Sequence, residues 1–163
     1  MSDYKGIEYL RQKLASKRGR IALRYNYYDM KYRTRDFGIS TPPDLRCWMS
    51  VLGWCGRAVD ALADRLVFNG FDNDVFDMNG VFAANNQDVL IDSAFLGALI
   101  SSCDFIYIAA DGSGFPQMRV IDGKHATGII DPTTNMLKEG YAVIDFDEYD
   151  RPVTEAYFLP CET

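Results

Sequence analysis

A chain of 163 residues with 48% hydrophobic and 13% aromatic content can bury one sizeable core but hardly two independent ones, so a single domain is expected over 1–163. No run approaches the roughly 20 apolar residues needed to cross a bilayer, and the opening MSDYKGIEYLRQK lacks the apolar centre of a secretory signal; a chain made in the cytosol is expected. The net charge of −6 is unevenly spread, residues 1–35 carrying +7 and the remainder −13.

Residues 1–40 read as a basic helical arm. Ser2 or Asp3 is placed to cap a helix whose apolar positions Tyr4, Ile7, Leu10 and Leu14 follow helical spacing, and KRGR, with Gly19, should loosen or end it. IALRYNYYDMKY continues the helical pattern until DFGISTPPDL stops it. Lys5, Arg11, Lys13, Lys17, Arg18, Arg20, Arg24, Lys31, Arg33 and Arg35 interleave with Tyr25, Tyr27, Tyr28 and Tyr32. Such a surface offers cations to phosphates and rings to bases. The plainer reading is a basic helix docked on an acidic surface or facing water.

Residues 41–103 read as the helical part. Thr41 is placed as an N-cap, Pro42 as the first helical residue and Asp44 as a carboxylate near the positive helix end. Leu45, Trp48, Leu52, Cys55, Val59, Leu62 and Leu66 then recur at steps of three and four, while Arg46, Ser50, Arg57, Asp60, Asp64 and Arg65 occupy other faces. The apolar stripe is expected to be core, and Trp48 and Trp54 point to burial on more than one side, in this domain or against another subunit. VDALADRLVFNGF carries that helix without a linker into a strand broken at Asn69-Gly70. A short helical stretch follows, then a polar break at Asn85 and Asn86 able to cap, then a longer apolar helix to about Leu99.

Residues 104–163 read as the β-rich part. DFIYIAA and PQMRVID flank DGSGF as a hairpin, DPTTN is a turn, and YAVIDFDEY and VTEAYFL alternate across DRP as a second hairpin. The last strand stops a few residues before Thr163, which suggests a truncated chain or an edge completed by another chain. The fold class is α+β: N-terminal helices followed by β-hairpins in a mostly antiparallel sheet.

Motifs for chemistry fail residue by residue. Cys47, Cys55, Cys103 and Cys161 contain no CxxC pair and read as reduced, mostly buried thiols. The lone histidine, His125, follows a Gly-Lys pair, but Met118 stands where a phosphate-binding loop needs its first glycine. DNDVFDMNG resembles a calcium loop only in its acidic spacing, because Phe76 and Val75 replace a ligand and the flexible turn residue. Asp145 and Asp147 alternate to one side of a strand as a solvated face. A Cys-His hydrolase built on His125 has no recognisable elbow or orienting partner. No catalytic, cofactor-binding or metal-binding residue is assigned, and a non-enzyme without cofactor is expected.

In order, YYDMKYRTRDFGISTPPDL, the tryptophan-bearing helix, VDALADRLVFNGF, LIDSAFLGALISSCDFIYIAADGSGFPQMRVID and GIIDPTTNMLKEGYAVIDFDEYDRPVTEAYFLP resemble the N-terminal half of tailed-bacteriophage portal proteins. The shared pattern is the Tyr-Tyr pair, the Val-Asp-x-Leu-Ala-Asp-Arg-Leu helix leading to Gly-Phe, a helix into a strand, and an Asp-Pro-Thr turn. Where that pattern often carries glycine beyond the Tyr-Tyr pair, this chain has Asp29 and Met30. The resemblance implies a wing-like region of a portal, without its stem and clip. It also implies that the helix ends at Leu66 and Val67, that Asn69-Gly70 supplies positive backbone angles, and that Phe68 and Phe71 anchor the junction.

The function implied is that of a structural protein of the bacteriophage virion: a head-tail connector forming an oligomeric ring at one vertex, through which DNA is packaged and ejected. Other portal subunits, terminase, scaffold, capsid and head-completion proteins would be partners. DNA would pass through the channel of the full assembly, with only weak direct contact by this portion, and no membrane would be involved. The location would be the portal vertex of the virion, and the host cytoplasm during capsid assembly. Without the stem, the isolated chain is expected to form no stable closed ring. The alternative is a small nucleic-acid-binding module using the basic Tyr-rich N-terminus, and behind it the Cys-His hydrolase.

Overall fold

The computed structural model describes residues 4–32, 42, 44, 53–110, 112, 114–149 and 151–160. Their elements are helices α1 (Ile7–Tyr28), α2 (Trp54–Ala63), α3 (Met78–Ala84) and α4 (Gln87–Ser101), followed by strands β1 (Asp104–Ala110), β2 (Pro116–Asp122), β3 (Ala126–Ile130), β4 (Leu137–Phe146) and β5 (Pro152–Phe158). The strands form two antiparallel sheets, the hairpin β1-β2 and the meander β3-β4-β5. This is the α+β arrangement, helices first and hairpins last.

α1 runs unbroken through Gly19 for 22 residues. A glycine inside a helix costs about 1 kcal/mol relative to alanine. Polar bonds to other elements on both sides of Gly19 hold the helix across it. Lys13 Nζ donates to the Gly128 carbonyl at 2.7 Å, Lys17 Nζ to Thr127 Oγ1 at 3.2 Å, and Arg24 to the Ser101 carbonyl at 3.1 Å. Beneath them Leu10 and Leu14 pack with Tyr141 and Val143 of β4.

The start of α1 is organised by a distant carboxylate. Gly6, with φ 86°, precedes the helix, and no side chain caps it locally. Glu139 of β4, only 1% exposed, accepts the Lys5 and Gly6 N–H groups at 2.8 and 2.9 Å, one on each oxygen. Ser2 and Asp3, the expected caps, lie outside the described residues.

Two further apolar clusters complete the interior. Phe82, Leu90 and Ile91 pack with Phe68, Phe95, Met118 and Val120, joining α3 and α4 to β2. Ile121, Ala126 and Ala142 pack with Phe105, Tyr107 and Phe158, joining the two sheets. α4 approaches β1 at Gly97, where an added Cβ would fall 1.8 Å from Asp104 Oδ2. Only a residue without a side chain permits that spacing.

The expected hairpins occupy the positions their sequence pattern indicated, and Asp131 closes the DPTTN turn by accepting the Thr133 N–H at 2.8 Å. Strand β3 was not foreseen, because ATGII is short, contains Gly128 and buries both Ala126 and Thr127 instead of alternating.

The long apolar helix from Thr41 requires correction. Thr41, Leu45, Arg46, Cys47, Trp48, Ser50 and Leu52 lie outside the described residues, and α2 itself spans only Trp54–Ala63. Cys55 is exposed, Leu62 is 49% exposed, and Leu66 lies beyond the helix end and is also exposed. The one buried residue of α2 is Gly56, against the Tyr28 carbonyl, where an added Cβ would come within 3.0 Å. α2 docks on the end of α1 through its smallest residue, and this orientation leaves Leu62 uncovered. Trp54, 77% exposed, is not buried in this domain.

Nor does α2 feed a strand. Residues 66–71 are irregular, and the backbone of Phe71 is paired with a side chain: Asn79 Oδ1 accepts its N–H at 2.8 Å and Nδ2 donates to its carbonyl at 3.0 Å. Gly70 has the expected positive φ, 87°, and also allows the close approach of Asn79; the backbone of Asn69 is not left-handed. Phe68 and Phe71 do anchor the junction, their rings 5.8 and 5.1 Å from that of Phe82.

Candidate functional site

The basic, tyrosine-rich arm is largely engaged within the chain. Besides Lys13, Lys17 and Arg24, Arg18 Nε donates to the Lys124 carbonyl at 3.3 Å, and Arg11 bridges Glu8 and Glu155. Tyr141 donates its hydroxyl to the same Glu155 at 2.7 Å, and Arg11 and Tyr141 together hold the Glu155 carboxyl below its ordinary pKa. Lys31 pairs with Asp29 at 2.8 Å. The Arg20 side chain is exposed and its guanidinium makes no hydrogen bond among the described residues, while Arg33 and Arg35 lie outside them.

The tyrosines divide similarly. Tyr28 donates to Asp60 Oδ1 at 2.7 Å, a bond that raises its pKa and ties α1 to α2. Tyr25 is pushed up by burial and by the nearby Asp122 carboxylate, with Lys124 Nζ 5.8 Å from its ring centre. Tyr27 and Tyr32 stack on each other, centroids 4.4 Å apart, and both stay partly exposed. Of Asp29 and Met30, which stand where the portal pattern often has glycine, Met30 adopts a left-handed backbone with φ 58° and Asp29 does not. The Met30 sulfur would meet a Cβ on Gly53 at 2.8 Å.

The motifs tested for catalysis resolve into structural parts. Asp74, in the calcium-like stretch, accepts the Met78 and Asn79 N–H groups at 2.7 and 2.6 Å, capping α3 from four residues before its first turn. Asp147 accepts the Tyr149 and Arg151 N–H groups at 2.9 and 2.8 Å and so shapes the β4–β5 turn, whereas Asp145 is exposed. The His125 ring lies 4.7 Å from that of Phe146. Cys103 is half-buried beside Gly123; Cys55 is exposed, against the expectation of burial, because it shares α2's open side. Cys47 and Cys161 lie outside the described residues. Among the described residues no group of three or more His, Cys, Asp or Glu converges to hold a metal ion.

Two clefts collect the remaining unusual groups. In the smaller, of about 440 Å³, Tyr25 and Tyr28 of α1 and Gly97 and Ile100 of α4 face Asp104 and Asp122. These two aspartates are direct cross-strand partners at the base of the β1-β2 hairpin. Asp104 Oδ1 accepts the Gly123 N–H at 3.0 Å and the Ser101 hydroxyl at 3.2 Å. Burial pushes its pKa up to about 6 against the pull of the Gly123 N–H, and Asp122 adds to the rise.

The larger cleft, of about 640 Å³, lies between α2 and α4. Leu66, Val67, Phe68, Ile91 and Leu96 line it together with Asp60, Asp64, Asp88 and Asp92. Sequence patterning missed this groove because it placed Leu62 and Leu66 in the interior as parts of one long helix. The signal available was the recurrence of aspartate at 60 and 64, and at 88 and 92, one helical turn apart on each wall.

No protein-family model matches the chain, and a search of curated proteins found no match.

Proposed function

We propose that this chain is the N-terminal, wing-region portion of a tailed-bacteriophage portal protein: a non-enzymatic subunit of the ring-shaped head-tail connector through which DNA is packaged and ejected. The observation that carries the reading is the amount of large apolar surface the described residues leave open on the segments that resemble that family. Trp54 of the tryptophan-bearing helix is 77% exposed and Leu62 of VDALADRLVFNGF 49%, and on the hairpins Ile108, Ile130 and Val153 are 53, 60 and 66% exposed. A monomer rarely exposes extended apolar surface without a binding purpose, whereas a subunit of a ring covers it with its neighbours. The helix-then-hairpin order agrees with the same reading.

On this reading the partners are other portal subunits together with terminase, scaffold, capsid and head-completion proteins, and the location is the portal vertex. Purified phage particles from a culture expressing the gene provide the test. Peptides of this chain should occur there at low copy number relative to the major capsid protein, and gold-labelled antibody against the chain should mark one vertex of opened heads. Absence from the particles, or label spread over the whole shell, would overturn the proposal.

A further inference from the structure

The α2–α4 groove combines two features. Its floor is apolar, from Leu66, Phe68, Ile91 and Leu96, and its walls carry four aspartates. The carboxylates of Asp64, Asp88 and Asp92 make no hydrogen bond or ion pair among the described residues, and that of Asp60 only accepts the Tyr28 hydroxyl. Four like charges around one concavity repel each other, and low-dielectric walls concentrate their field. A cationic occupant relieves that repulsion, and an occupant with an apolar side removes the floor from water.

We propose that this groove docks a basic amphipathic segment of a partner protein, its apolar side chains on the Leu66, Phe68, Ile91 and Leu96 floor and its Lys or Arg side chains on Asp60, Asp64, Asp88 and Asp92. Charge complementarity selects this occupant over the others. Nucleic acid and anionic lipid are repelled by the four carboxylates. A second copy of the chain carries the same net charge of −6, and the cations of its most basic helix are already bonded within the chain at Arg11, Lys13, Lys17, Arg18 and Arg24. An uncharged apolar segment would cover the floor and leave the aspartates unpaired.

The test uses the full chain and a fluorescein-labelled helical peptide of about 14 residues, Leu on one face and Lys on the other, read by anisotropy in about 0.1 M salt. A scrambled peptide of equal composition and a version with Glu in place of Lys are the comparators. The Leu/Lys helix should bind, the comparators should bind about tenfold more weakly or less, and amide NMR shifts should cluster in residues 60–68 and 87–96. The double variant Asp64→Lys, Asp92→Lys should weaken binding by about tenfold. Asp145→Lys with Glu148→Lys, an equal change of net charge on exposed residues of β4 and the following turn, should change it less than about twofold.

All of the substituted residues are exposed, so far-ultraviolet circular dichroism should match the unsubstituted chain. Equal binding of the scrambled peptide, or equal loss in the β4 variant, would show unspecific charge attraction and overturn the proposal. Shifts outside the groove would do the same, as would no binding at all, the result expected if a second copy or another part of the chain occupies the groove.

Discussion

α1 and α2 make opposite use of their sequences. α1 is the more polar helix, yet it is clamped along its length: Leu10, Leu14 and Ile21 are buried and its cations reach backbone carbonyls, a hydroxyl and a carboxylate on other elements. α2 has the cleaner division into apolar and polar faces, yet buries only a glycine. Amphipathic pattern reports that a helix has a side suited to removal from water. It does not report whether that side meets its own domain or a partner. α1 is therefore expected to dominate stability and α2 association.

The largest test of that contrast compares one leucine from each helix. Leu10 is 0% exposed, and Leu10→Ala should cost about 2 to 5 kcal/mol as a cavity in the α1–β4 core. Leu62, 49% exposed, should cost under about 1 kcal/mol when replaced by Ala, because little surface returns to water. Urea denaturation of both variants measures the difference. Equal costs would mean that α2 is as much part of the folding core as α1.

Next in size is the buried carboxylate that organises the start of α1. Burial alone would raise the pKa of Glu139, but the Lys5 and Gly6 N–H groups and the Tyr157 hydroxyl outweigh it and hold the group below its ordinary value. Glu139→Gln keeps the shape but replaces an acceptor of three bonds by an amide whose NH₂ faces donors. A loss of about 1 to 3 kcal/mol is expected. Because the folded-state pKa is depressed, the charge contributes stability that is fully present above the unfolded value, 4.5, and is lost as pH falls through the folded one. The Gln variant should lack that part of the acid sensitivity.

Much of the fold was legible wherever local chemistry decides it. DGSGF and DRP turn between alternating strands, and Asp131 builds its own turn. What was not legible depends on residues far apart. Nothing near Gly19 announces that Lys13, Lys17 and Arg24 will hold α1 across it, and nothing near Gly6 announces a cap 133 residues away on Glu139. The groove was hidden by an assumption about direction: Leu62 and Leu66 were expected inward, and Asp60 and Asp64 on the other faces therefore read as ordinary surface. The acidic cleft at Asp104 was equally hidden, since its two carboxylates meet only through the register of β1 with β2.

Asp104 supplies a smaller effect of opposite sign to that of Glu139. Its folded pKa, about 6, lies above the ordinary 3.8, so between those values the folded state binds more proton than the unfolded one. The group therefore lowers stability as pH rises through that window and contributes no further change above it. Asp104→Asn retains an acceptor for the Gly123 N–H and the Ser101 hydroxyl without the buried charge. Thermal midpoints of the variant should lose this falling contribution between pH 4 and 6, a window bounded by the same two values. An unchanged pH profile would show that the cleft is wetter and more polar than its lining implies.

The smallest effect is expected at Arg20, and it sharpens the division within α1 itself. Arg11, Lys13, Lys17, Arg18 and Arg24 are bonded to other groups, so their charges are partly committed; Arg20 is exposed and its guanidinium makes no hydrogen bond among the described residues. Arg20→Glu should shift stability by no more than about 0.5 kcal/mol, the range for surface substitutions away from packed or bonded features. Lys13→Glu should cost more, because it removes a 2.7 Å bond to the Gly128 carbonyl and sets a carboxylate beside it. The same pair separates the docked-helix account from a dedicated nucleic-acid surface. A binder using several phosphate contacts loses affinity steeply with salt, by about 0.9 log units per contact for each tenfold rise. With most of the arm's described cations already engaged, duplex DNA should bind only weakly at physiological salt, and Arg20→Glu should change that little. Submicromolar binding abolished by Arg20→Glu would show instead that the exposed side of α1, with the stacked Tyr27 and Tyr32, is the interaction surface that matters.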